Sequence, residues 1–357
     1  MSGAPTGAAV PSGDGRPPNL IDERVALWAA RLTAPTRGSD PVASARLRAE
    51  VAADLPAIDA AAREFSQLGA DLAPTRIRVI GRIAWVRANL AGLRGAFDPL
   101  GQRLQGRRVV ASRVLGVQLG ALLGLLSGKV LGQYVLPLGR DRSAGGELVV
   151  VGPNVLELGE DDPELAVDVR RSVLLHEITH RLQFDATPWL ADHLQGLLDR
   201  YLEHARLDPA SLLDAAPRLP EAIAEVRSTG TITPLVETVL SPEQVEVLAE
   251  AQGLMSLLEG HGNTVMFDAD DGLVGDADAV REALAARRGD VTSKVLTAVA
   301  GLETKRRQYR EGEAFVRGVV EIGGIGALNR AFERPENLPR GEEVDDPAGW
   351  LARVETG

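Results

Sequence analysis

The chemistry most legible in this chain lies in five consecutive residues, His176-Glu177-Ile178-Thr179-His180. Histidines four apart share one face of a helix, so both imidazoles can reach a single ion. Imidazole nitrogen suits zinc, and a catalytic zinc keeps one position open for water. A glutamate directly after the first histidine can take that water's proton. The spacing predicts a metal on His176 and His180, with Glu177 as the general base of a hydrolysis. The competing reading is a pair of surface histidines beside a glutamate. Context speaks against it: two of the chain's five histidines fall at this spacing, and Val173, Leu174, Leu175, Ile178 and Leu182 surround them with apolar side chains.

A third ligand must come from elsewhere. The extended motif with a third histidine needs glycine at 183 and histidine at 186; Gln183 and Ala186 stand there. With no cysteine in the chain, the remaining donors are histidine, aspartate and glutamate. Glu203 and Glu259 are the leading candidates, and His261 is a further one. Between Ala251 and Phe267 the ionisable side chains are Glu259 and His261, among Leu254, Met255, Leu257, Leu258, Val265 and Met266. A helix apolar on nearly every side is buried, and a buried carboxylate needs a cation. Glu203 has Arg200 and Arg206 nearby and reads as a solvated helix face. The residues therefore favour Glu259. Asp268, Asp270, Asp271 and Asp276 lack the glycine and glutamate placement of a calcium loop and read as an acidic surface loop. His193 and His204 read as ordinary helix histidines, and nothing places Tyr309 near the metal.

These residues need elements to hold them. Asp161-Asp162-Pro163-Glu164 marks a helix start, and Pro188 stops that helix soon after Phe184. Glu147 to Val151 (ELVVV) reads as a strand, broken by Gly152-Pro153. Ser241-Pro242-Glu243-Gln244 is a capping box opening the Glu259 helix. Further helical patterns span 21–34, 40–68 (with Pro56 inside), 75–96, 189–205, 219–229, 276–287 and 291–328, the last broken near Gly323-Gly324. Gly116, Gly120, Gly124, Gly128 and Gly132 recur every four residues, a small-residue ridge for close packing. The fold class expected is mainly α (α+β). A small β element precedes the motif helix in a single domain over 21–357, and residues 1–20 form a disordered tail.

Composition narrows the partners. The chain has 357 residues, 45% hydrophobic and 25% charged, with a net charge of −11. That balance argues against nucleic acid. The uncharged run Val114–Gly128 is shorter than the roughly 20 residues of a membrane span, and reads as a buried helix. A cytoplasmic protein acting on a peptide or protein is the expectation, its oligomeric state open.

Several segments in order, HEITHRLQF, TPWLADH, AQGLMSLLEGHGNTVM, KRRQYREGEAFVRGVVEIGG and RPENLPRGEEVDDPAGWLARV, resemble a family of actinobacterial zincin-like, zinc-dependent metallopeptidases or hydrolases of uncharacterised function. One branch is associated with biosynthesis of a deazaflavin coenzyme. RIAWVRANL and SGKVLGQYVLPL match as well, so the resemblance covers nearly everything after the tail. It implies a mostly helical zincin-like domain holding zinc. It carries His176, Glu177 and His180 over directly, and Glu259 through LLEGH. Where the family usually has Ala and Asp after EGH, this chain has Gly262 and Asn263. Two readings stand as expectations: a metallopeptidase pairing its peptide with the Leu148–Val151 strand, or a non-catalytic zinc-containing scaffold or binding protein linked to that coenzyme's biosynthesis.

Overall fold

A computed structural model describes residues 20–36, 40–103, 108–138, 145–158, 163–204, 241–269, 272–288 and 303–356. In chain order they form α1 (Glu23–Thr33), α2 (Pro41–Ser66), β1 (Ile77–Ile80), α3 (Arg82–Gly92), α4 (Asp98–Arg103), α5 (Arg108–Leu126), β2 (Gly132–Val135), β3 (Glu147–Val151), α6 (Gly152–Leu158), α7 (Pro163–Ala186) and α8 (Pro188–Glu203). Then come α9 (Pro242–Asp268), α10 (Ala277–Arg288), α11 (Glu303–Asn329), three short 3₁₀ turns and α12 (Pro347–Thr356). The fold is mainly helical with one small sheet, as the sequence patterns predict. The expected tail and the 219–229 helix lie outside the described residues.

The sheet has the order β1-β3-β2, with β1 parallel and β2 antiparallel to β3. β3 is central, and Leu148 to Val151 are all buried. Alternation sends Leu148 and Val150 into a core with α2 and α7, and Val149 and Val151 into a core with α1, α3 and α5. A strand covered on both faces reads as a continuous apolar run, which is why ELVVV stands out. Two expectations need correction here. Residues 75–96 do not form one helix: Ile77, Val79 and Ile80 pair with β3 as β1, and the helix starts only at Arg82. Their β-branched side chains suit a pleated, half-buried strand better than a helix. Nor can a peptide add to Leu148–Val151, because both edges of β3 are taken; the edge strand beside the motif is β2.

The glycine ridge packs as expected, although Gly132 belongs to β2 and Gly128 to a turn. α1 runs parallel to α5, with Asp22 and Ala26 over Gly116 and Gly120, Ala30 and Thr33 over Gly124, and Pro35 over Gly128. A Cβ on Gly120 would lie 2.1 Å from the Ala26 carbonyl oxygen. Thr33 Oγ1 donates across the seam to the Ala121 carbonyl at 2.9 Å. α5 is nevertheless less buried than its composition suggests, since one flank remains open to solvent.

α7 is braced at its N-terminal half. Arg170 donates to Glu50 at 2.7 Å and to Asp54 at 2.9 Å, and Arg171 reaches the other Asp54 oxygen at 3.1 Å, tying α7 to α2. α9 opens with the expected capping box, Ser241 Oγ accepting from Gln244 N–H and Gln244 Oε1 from Ser241 N–H. α11 breaks at Gly324, whose φ is +73°. Trp350 on α12 is fully buried and donates its indole N–H to the Asn337 carbonyl at 2.8 Å.

Candidate metal centre

α7 and α9 pack together and bring His176, His180 and Glu259 to one point. His176 Nε2 and His180 Nε2 are 3.0 Å apart. Glu259 Oε2 is 3.4 Å from the first, and Oε1 is 3.6 Å from the second. Two donors each about 2.0–2.1 Å from a tetrahedral ion stand roughly 3.4 Å apart. The observed separations bracket that figure, so the three side chains fit a metal ion. They line a cavity of about 540 Å³ with Glu177, Gln133, Lys129 and the apolar Trp85, Val173, Phe184, Met255 and Leu258. α9 is buried as its composition requires, through Leu254, Leu257, Leu258 and Val265. Glu259 itself faces the cavity.

Glu177 is the second carboxylate in that cavity, and β2 holds it. The Tyr134 backbone N–H points away from β3 and donates to Glu177 Oε2 at 2.9 Å. The approach depends on a missing side chain: a Cβ on Gly132 would lie 2.9 Å from Glu177 Cγ. Burial raises the Glu177 carboxyl to about 7; His180 opposes the rise, Glu259 adds to it, and the Tyr134 N–H opposes it.

Gln183 escaped the sequence reading as a working residue. It lies one turn beyond His180, and that i, i+3 spacing was the available signal. Its Oε1 accepts from His180 Nδ1 at 2.9 Å, which leaves Nε2 free for a metal. Its amide nitrogen donates to the Leu258 carbonyl and to His261 Nδ1, each at 3.0 Å. His261 is thereby set behind His180 rather than beside Glu259. Complete burial, and then the nearby His180, lower its pKa to about 3, so it stays neutral. Tyr134 closes the adjoining wall: its hydroxyl donates to Asp185 Oδ1 at 2.6 Å and its ring stacks on Phe184.

Other candidates lie away from the centre. Glu203 is exposed at the end of α8, where its backbone carbonyl accepts from Arg103. His204 is exposed, and His193 packs edge-on against Trp189. Asp276 caps α10 through the Ala279 N–H. Asp270 and Asp271 lie outside the described residues, as does the side chain of Tyr309. Gly262 packs on the histidines, where a Cβ would stand 3.0 Å from the His176 ring.

Two comparisons relate the chain to known proteins. Residues 21–351 match the model of the zincin-like metallopeptidase family. The chain belongs to that family. It is also similar to a crystal structure from Chloroflexus aurantiacus described as "a putative hydrolase with a novel fold". Identity is 30% and the TM-score 0.67, over 94% of this chain and 99% of that one. A search of curated proteins found no match.

Proposed function

We propose that this protein is a zinc-dependent peptidase, with His176, His180 and Glu259 as ligands and Glu177 as general base and acid. The observation that carries the reading is the convergence of three ligand atoms, all within 4.8 Å of one another, on the cavity that Glu177 also lines. Zinc bound there supplies Lewis acidity and lowers the pKa of water toward about 7. Glu177 accepts the proton of the attacking water and passes it to the leaving nitrogen. The Tyr134 N–H fixes one carboxylate oxygen and leaves the other for the proton. A peptide lies beside β2, the edge strand at the site, and pairs with its outward backbone groups other than the Tyr134 N–H, which Glu177 holds. A cytoplasmic setting is part of the proposal.

The test combines metal analysis with digestion of a mixed peptide library. Wild type is expected to hold one zinc per chain and cleave peptides. His176→Ala and Glu259→Ala lose the metal. Glu177→Gln keeps it and loses roughly 10²–10⁴ in rate. Bound zinc with full activity in Glu177→Gln would sink the mechanism, and zinc without cleavage of any peptide would leave the scaffold reading.

A further inference from the structure

The α1–α5 pair leaves one flank apolar and open. Val110, Val114, Val117 and Leu125 are between 41% and 68% exposed, and on α1 Trp28 is 57% and Leu32 67% exposed. Helical spacing puts the four α5 residues on one stripe. The glycine ridge lies to one side of that stripe, under α1, while Leu115, Leu119, Leu123 and Leu126 turn to the core. On α1, Ala26 and Ala30 face the ridge and Leu27 the core, so Trp28 and Leu32 continue the open flank. Contiguous exposed apolar surface of this kind marks an interaction site.

The charges around it select the partner. The exposed ionisable residues on α1 and α5 are Arg24, Arg31 and Arg113, basic groups on a chain whose net charge is −11, while the partly exposed Glu23 is paired with Arg94. α5 contains no acidic residue. A second copy docked about a twofold axis would set this arginine rim against itself. Anionic lipid complements both parts: guanidinium groups meet phosphates, tryptophan lies at the headgroup level, and valine and leucine enter the acyl boundary. α5 has 19 residues, long and apolar enough by length and composition to cross a membrane. Its glycine and leucine faces are committed to α1 and the core, however, so it lies on a bilayer rather than through it.

We propose that the outer flank of α1 and α5 docks on an anionic membrane surface. Leu126 at the end of α5 and Lys129 in the turn after it line the metal cavity, so docking sets that cavity on the core side of α5, one helix away from the lipid. The inference stands apart from the hydrolase reading and does not need the metal.

Vesicle flotation of the full chain tests it, with phosphatidylcholine alone and with phosphatidylcholine containing phosphatidylglycerol. Wild type is expected to float with the anionic vesicles, not with the neutral ones, and to release in high salt. Arg24→Gln and Arg31→Gln each weaken binding about fivefold. Val114→Glu combined with Val117→Glu weakens it at least about tenfold, with an unchanged circular dichroism spectrum. On wild type, anionic vesicles shift tryptophan emission to the blue, and Trp28→Phe removes the shift. Wild type that stays unbound, or binds both vesicles alike, overturns the proposal. So does a stable dimer by light scattering that Val114→Glu splits, because a second copy then covers the flank.

Discussion

Gln183 Oε1 lies 2.9 Å from Nδ1 of His180, so the carboxamide sets which imidazole nitrogen faces Glu259. Gln183→Leu removes the acceptor and leaves the Leu258 carbonyl and His261 without their shared donor. Zinc affinity should drop about 10–100-fold. Competition against a chelating dye measures this. An affinity equal to wild type would show that the bond orients nothing.

The identity of the third ligand separates cleanly between two glutamates. Glu259→Gln keeps the side-chain size and removes a charge 3.4 Å from His176 Nε2. Glu203→Gln changes an exposed residue at the end of α8. Calorimetric zinc titration should find a large loss of affinity in the first variant and none in the second. The opposite pattern would move the ligand to α8.

Asp54 makes stability depend on pH. Burial alone would raise its pKa, but hydrogen bonds and charge from Arg171 and Arg170 outweigh burial and hold the carboxyl below its ordinary value. A carboxyl depressed in the folded state stabilises above the unfolded pKa of about 3.9, and that contribution fades as pH falls through the folded value. At neutral pH Asp54→Asn should cost about 3 kcal/mol, because it leaves the buried Arg170 short of a partner. Urea denaturation should show this gap at pH 7 and a narrowing gap below about pH 4.

Two glycines in long helices should respond oppositely to alanine. At Gly120 the new Cβ meets the Ala26 carbonyl at 2.1 Å, so α1 and α5 must part. At Gly253 on α9 it meets nothing within 4 Å. Thermal unfolding should show Gly253→Ala stabilised by up to about 1 kcal/mol and Gly120→Ala destabilised by about 1–3 kcal/mol.

Local spacing is legible in one sequence; encounters between distant segments are less so. The α7 motif, the capping box of α9, the glycine ridge and the break in α11 all follow from residues within a few positions of one another. Glu259 came forward because a nearly uncharged helix made its carboxylate conspicuous. What stayed hidden depends on tertiary placement. Ile77–Ile80 carries apolar residues compatible with either period, and only pairing with β3 makes it a strand. The role of Tyr134 rests on a backbone N–H, which every residue but proline possesses. The choice between β2 and β3 as the edge strand is a matter of sheet order, which alternation along either strand does not encode.

The parallel seating of α1 on α5 also has a consequence for biosynthesis. Ala26 and Ala30 need Gly120 and Gly124, which leave the ribosome more than ninety residues later. At roughly 5–20 residues per second, α1 waits on the order of 5–20 s for its seat. Throughout that interval its alanine face is uncovered, and Trp28 and Leu32 lie on its other side. α1, the first of the described helices to be made, therefore stays unseated until α5 emerges, and in that interval the nascent chain offers a chaperone, or a nearby bilayer, an apolar handle.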